Sequence, residues 1–162
     1  MTTDRIVKQV VLKAPLARVW RAVSDSKQFG AWFGMALEAP FADGAHLKGK
    51  IVPTVADAQV AKMQEPHAGM VFDLFVERIE PMRHLSFRWH PYAIEPGSDY
   101  SKEPTTLVTF ELEEVAGGVR LTITESGFDK VPLARRAEAF KANEGGWEMQ
   151  TRLIAKYVAA NP

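Results

Sequence analysis

The chain has 162 residues, enough for one domain that buries roughly two thirds of the surface its unfolded form would expose. Its twenty basic and twenty acidic side chains cancel without forming long blocks of one sign, which removes the electrostatic footprint of a nucleic-acid or anionic-membrane binder. The absence of cysteine removes disulfides, thiolate catalysis, cysteine-based zinc sites and iron–sulfur clusters together.

The chain start carries charges at Asp4, Arg5 and Lys8 where a secretory leader needs an apolar core, and no apolar run approaches the roughly eighteen residues of a membrane span. A cytoplasmic protein with no membrane insertion is expected. RIVKQVVLKAP is short, β-branched and closed by Pro15, the pattern of a first strand ending in a turn. PLARVWRAVSD sets Leu16, Val19, Trp20 and Val23 at helical spacing behind a proline, and DSKQFGAWF offers Ser24 or Asp25 as the cap of a second short helix. Trp32 and Phe33 end that helix beside a glycine-flanked bend, where they form a mouth over a cavity or seal the core beneath it. Sealing is the expected role of Trp32.

From Met35 to Gly127 the punctuation is that of a sheet, with short runs separated by Asp-Gly, Pro and Gly-Gly. HLKGKIV and GMVFDLFVERIEP are candidate strands. HLSFRWH alternates Leu85, Phe87 and Trp89 against Ser86, Arg88 and His90, as a half-buried antiparallel strand does. TLVTFELEEVAGGVRLTITESGF repeats the alternation across a hairpin turned at Ala116-Gly117-Gly118, with Val108, Phe110 and Leu112 facing one way and Val119, Leu121 and Ile123 sharing a face on the return. Two stretches, PTVADAQVAKMQEPHAG and PYAIEPGSDYSKEPTT, show no period and read as long connections, either covers of a site or plain solvent-exposed loops.

The last element starts at Pro132, read as the first helical position, and runs through LARRAEAFKANEGGWEMQTRLIAKYVAA as one long helix. Phe140, Trp147, Ile154 and Val158 fall near one stripe. Gly145 and Gly146 interrupt it, each costing about 0.8 to 1 kcal/mol relative to alanine in a helix interior. The pair is read as a point where helix backbone and sheet approach closely. Trp147 then projects beyond it to line a cavity or to fill the core.

A strand, two short helices, a meander of about six strands and one long helix predict an α+β fold in which a curved antiparallel sheet grips the final helix. VVLKAPLARVWRAVSDSKQFGAWF, ERIEPMRHLSFRW, TTLVTFELEEVAGGVRLTITESGF and GGWEMQTRLIAKYV resemble, in order and spacing, the successive blocks of the bacterial Hsp90 ATPase activator homologue branch of the START-like (SRPBCC) superfamily. The resemblance spans nearly the whole chain. It implies one START-like helix-grip domain over residues 1–162, with a hydrophobic cavity between sheet and long helix. It further implies binding of lipids, hormones or polyketide-like aromatics, with cyclisation or hydrolysis in some members. The eukaryotic chaperone activators use a separate N-terminal domain for which 162 residues leave no room, so chaperone stimulation is not expected. The demethylase reductase label some relatives carry would need cysteines and a dinucleotide-binding glycine motif, and the chain has neither.

His46, His67, His84 and His90 show no metal-binding spacing, and neither a GxSxG elbow nor a thiol is present, so no metal, no cofactor and no assigned catalytic residue are expected. Glu125 is the acid worth attention. It shares the inward parity of Val119, Leu121 and Ile123, and either it stays on the apolar wall as a cavity acid or base, or the Ser126-Gly127 turn lifts it to the rim. The rim is the expectation, with water, Arg88, Lys48 or His90 satisfying the carboxylate. The candidate ligand-binding set is Trp32, Phe72, Phe87, Trp89, Phe110, Glu125, Phe140, Trp147 and Gln150. The expected partner is a small hydrophobic or aromatic molecule. The alternatives are a protein-interaction module, chaperone-associated and docking through the sheet's outer face, or a cyclase- or hydrolase-type enzyme using a cavity carboxylate.

Overall fold

The computed structural model describes residues 5–95 and 97–162. Residues 1–4 and Pro96 lie outside it, and with them the Asp4 charge of the chain start and one residue of the PYAIEPGSDYSKEPTT connection. The first strand, β1 (Arg5–Leu12), leads into α1 (Leu16–Ser24) and α2 (Ser26–Phe33). Asp25 caps α2 by accepting from the backbone N–H groups of Lys27 and Gln28. Gly34, at φ 95°, ends the helix in the left-handed conformation that glycine adopts without strain. β2 (Met35–Leu37) follows at once and folds back so tightly that a β-carbon on Gly30 would stand 2.0 Å from the Met35 carbonyl oxygen.

The rest of the sheet is β3 (His46–Ile51), β4 (Val71–Glu80), β5 (His84–Trp89), β6 (Thr106–Val115) and β7 (Gly118–Ser126). Every pairing is antiparallel, in the order β1-β7-β6-β5-β4-β3-β2, and β4 bulges between Val76 and Arg78 where the curved sheet bends. These five are the runs read as strands between Met35 and Gly127, and the short β2 completes the expected meander of about six.

One connection contains a helix that periodicity did not reveal. α3 (Ala58–Gln64), capped by Asp57 through the N–H groups of Gln59 and Val60, buries no residue and so has no apolar stripe to betray it. Asp57 also accepts a hydrogen bond from Lys156, which holds its carboxyl below the usual carboxylate range. The long helix, α4 (Leu133–Ala160), spans about 42 Å at 1.5 Å per residue. Pro132 precedes it as the cap residue and not as its first turn.

Alternation decides the sheet's inner face. Ile6 and Leu12 on β1, Leu74 and Val76 on β4, Leu85 and Phe87 on β5, Val108 and Phe110 on β6, and Val119, Leu121 and Ile123 on β7 are buried. They meet Phe29 and Trp32 from α2 and Leu153, Ile154 and Val158 from α4 in one cluster. The opposite face of β1 leaves Val7 and Val11 half exposed. The chain therefore folds as a helix-grip: a curved antiparallel sheet around a long terminal helix. No helix among the described residues is long and apolar enough to cross a membrane.

Candidate functional site

Glu125 is fully buried, which overturns the rim expectation. β7 continues through Ser126, so the turn comes one residue too late to lift the carboxylate away. On the strand register Glu125 stands opposite Val108 on one side and Ile6 on the other, deep in the inner face. Arg88, Lys48 and His90 do not reach it. Arg88 pairs with Glu77 at 2.6 Å, Lys48 with Asp73 at 3.0 Å, and the His90 ring bonds the Glu103 carbonyl oxygen at 3.1 Å.

Four neutral groups from three elements satisfy the carboxylate instead. Oε1 accepts from the Trp147 indole at 2.7 Å and from the Asn143 amide at 2.9 Å, both on α4. Oε2 accepts from the Trp89 indole on β5 at 2.8 Å and from the Thr106 hydroxyl on β6 at 2.5 Å. A buried carboxylate is tolerable only when its lone pairs are met, and here each oxygen takes two hydrogen bonds. The consequence is mechanical: Glu125 fixes both indoles edge-on and ties α4 to the middle of the sheet.

Those two indoles wall a recess. Their ring centroids lie 5.8 Å apart, and Phe33 closes the third side at 5.8 Å from Trp147 and 6.2 Å from Trp89. Two adjoining hollows, of about 200 and 150 Å³, share Phe33, Trp89, Asn143 and Gln150. The larger extends past Phe72 toward His90, Tyr92 and Ile94, and the smaller is bounded by Trp147 and Gly146.

Gly146 thus has a role other than close approach. A β-carbon built on either Gly145 or Gly146 meets nothing within 4 Å, so the glycine pair does not bring helix and sheet into contact. Gly145 faces solvent, and the missing side chain at Gly146 leaves the smaller hollow open.

Three helices converge on the Phe33 carbonyl at the end of α2. Gln150 of α4 donates to it at 3.0 Å and Gln64 of α3 at 3.2 Å, occupying an acceptor that the helix itself leaves unpaired. With its amide nitrogen so held, the Gln150 Oε1 atom is buried and receives no hydrogen bond.

The connection from His90 to Thr105 covers one side of the recess with Tyr92 and Ile94. Arg135 of α4 straps it down, giving Glu103 two hydrogen bonds of 2.9 and 2.7 Å, donating to the Pro91 and Tyr92 carbonyls, and lying 4.8 Å over the Tyr100 ring. Burial, together with the hydrogen bond to Glu138, raises the Tyr92 phenol above its ordinary pKa.

Of the nine candidates, the structure gathers Phe72, Trp89, Glu125, Trp147 and Gln150 around this recess. Phe87 and Phe110 lie fully buried behind it, in edge and tilted contact with Trp89, Trp147 and each other. Trp32 is sealed in the core with its indole on the Ala22 carbonyl at 2.8 Å, and Phe140 packs away from the recess against Phe128. Asn143 and Phe33 were absent from the set. Asn143, Gly146, Trp147 and Gln150 stand at i, i+3, i+4 and i+7, one face of α4, and two amides on that face were the signal for the wall.

The family model for activator of Hsp90 ATPase homolog 1-like protein matches residues 13–159. No curated protein matches the chain. Among solved structures, DynU16, a protein from the dynemicin biosynthetic locus, is 26% identical with a TM-score of 0.67, over 96% of this chain and 47% of its own. The chain therefore spans about half of that protein. The protein encoded by BPP1335 of Bordetella parapertussis is 25% identical with a TM-score of 0.68, over 100% of this chain and 78% of its own. MLL2253 of Mesorhizobium loti, at 20% identity and a TM-score of 0.71, covers 98% of both chains and shares the fold.

Proposed function

The chain belongs to the activator of Hsp90 ATPase homolog 1-like family, and from that premise we propose that residues 1–162 act as one START-like domain that binds a small, mostly apolar aromatic molecule in the recess between sheet and α4. The carrying observation is the pair of indoles, Trp89 and Trp147, 5.8 Å apart, held by one buried carboxylate and together bordering the same small hollow. Core packing alone gives no reason to bury an acid there, since an apolar side chain in its place would need no donors. An acid that orients two aromatic walls supports a site for a flat ligand.

Size narrows the ligand. A cavity of about 150 Å³ accepts one benzene ring, and drug-sized ligands occupy pockets of about 300 Å³ and more. Hollows of about 200 and 150 Å³ suit one or two fused rings. The fold is one that serves ligand binding or cyclase-type chemistry, and the geometry favours binding: both Glu125 oxygens are fully engaged by donors, leaving no free lone pair directed at a substrate proton. The proposed setting is the cytoplasm.

Titration with a panel of small phenols, indoles and bicyclic aromatics tests this directly. A fitting member will change the tryptophan emission saturably, because Trp89 and Trp147 touch it, and affinity will be insensitive to salt because the wall's charge is buried and no cation takes part. If no member changes the emission or the melting temperature, the recess is only a surface irregularity of a packed core.

A further inference from the structure

The recess wall has a polarity. Many of its side-chain donors are engaged by protein acceptors: the Trp89 and Trp147 indoles and one Asn143 amide N–H at Glu125, one amide N–H each of Gln64 and Gln150 at the Phe33 carbonyl, the His90 ring at the Glu103 carbonyl, and the Tyr92 hydroxyl at Glu138. None of these partners can donate in return, so the amide orientations follow: turning either Gln64 or Gln150 over would set oxygen against oxygen. The buried side-chain atom of α4 left without a partner is an oxygen. Gln150 Oε1 is buried without a partner, and among the described residues Asn143 Oδ1 also accepts no hydrogen bond, although Asn143 lines both hollows.

We propose that the ligand of this recess is a flat aromatic bearing a hydroxyl or N–H donor, and that Gln150, through its unpaired Oε1, determines that specificity. This rests on the recess being a binding site at all. The Gln150 side chain is 6% exposed and its Oε1 is closed to solvent, so no water offsets the lost hydrogen bond. A ligand donor reaches the oxygen through a small turn of the amide about its hold on Phe33, and supplies the partner that the protein does not. An ether, ketone or carboxylate at the same place would set acceptor against acceptor and be rejected.

The test compares a naphthol with its methyl ether, two probes of nearly equal apolar area that differ in one donor, by calorimetry on the wild-type protein and on Gln150→Met. The wild-type protein will bind the naphthol about tenfold more tightly, the factor expected of one hydrogen bond to an otherwise unpaired buried group. In Gln150→Met that preference will fall to within about twofold, by the same reckoning. Equal affinity of the wild-type protein for both probes, or an unchanged preference in a folded Gln150→Met protein, overturns the donor assignment while leaving the binding reading intact. Binding of neither probe overturns both. Should Gln150→Met fail to fold, the wild-type ratio decides alone.

Discussion

Glu125→Leu will lower the unfolding free energy by about 1 to 4 kcal/mol, the largest single effect on stability expected from the site. The leucine itself fits an apolar wall, so the loss comes from the groups left behind. The Thr106 hydroxyl can turn elsewhere and the half-buried Asn143 amide can find water. The buried Trp147 indole cannot, and the half-buried Trp89 indole can only in part; a buried donor without a partner costs about 1 to 3 kcal/mol. Glu125→Gln separates this from simple packing. It keeps the shape and one carbonyl acceptor, but its NH₂ must face an indole N–H donor, so it falls between wild type and leucine. Urea unfolding monitored by circular dichroism reads both variants. A leucine variant as stable as wild type would mean that the network contributes nothing net, and that the indoles are held by packing alone.

Gly146→Leu will weaken ligand binding by about 5- to 150-fold, the equivalent of the 1 to 3 kcal/mol that overfilling a packed space costs. It will do so without loss of stability. Leucine is favoured over glycine in a helix interior by somewhat less than 1 kcal/mol, and a β-carbon at Gly146 meets nothing within 4 Å. The side chain grows into the smaller hollow, where the ligand would lie. Gly145→Leu is the control: the same propensity gain on the exposed side of α4, with binding untouched. A Gly146→Leu protein that is destabilised would show the sheet pressing on the helix after all, and one that binds normally would place the ligand elsewhere.

The glycine pair shows where sequence reading stops. That two glycines in a helix interior need a reason was legible from helix propensity alone. Whether the reason was contact or space was not, because a missing side chain looks the same from the sequence in both cases. Glu125 divides in the same way. Period-two alternation put it on the inner face correctly, but its donors come from β5, β6 and α4, and no spacing in one strand reveals neighbours brought in by register.

The sheet, the two early helices and the long helix were legible because each carries an apolar face with its own period. α3 was not, because a capped helix that buries nothing has no stripe. Alternation likewise put Phe87 and Phe110 on the inner face beside Trp89. Only the depth set by strand order separates the two phenylalanines, sealed behind the recess, from the tryptophan that forms its wall.

The most direct measurement follows the indole N–H resonances of the four tryptophans by NMR while a naphthol is added. Binding in the recess moves the Trp89 and Trp147 signals most, through ring currents and through strain on their hydrogen bonds to Glu125. It leaves Trp20, on α1, and Trp32, sealed on the Ala22 carbonyl, with much smaller changes. Saturable movement confined to Trp89 and Trp147 is the predicted result. No movement at either of them, or movement dominated by Trp20, would contradict a ligand site between the sheet and α4.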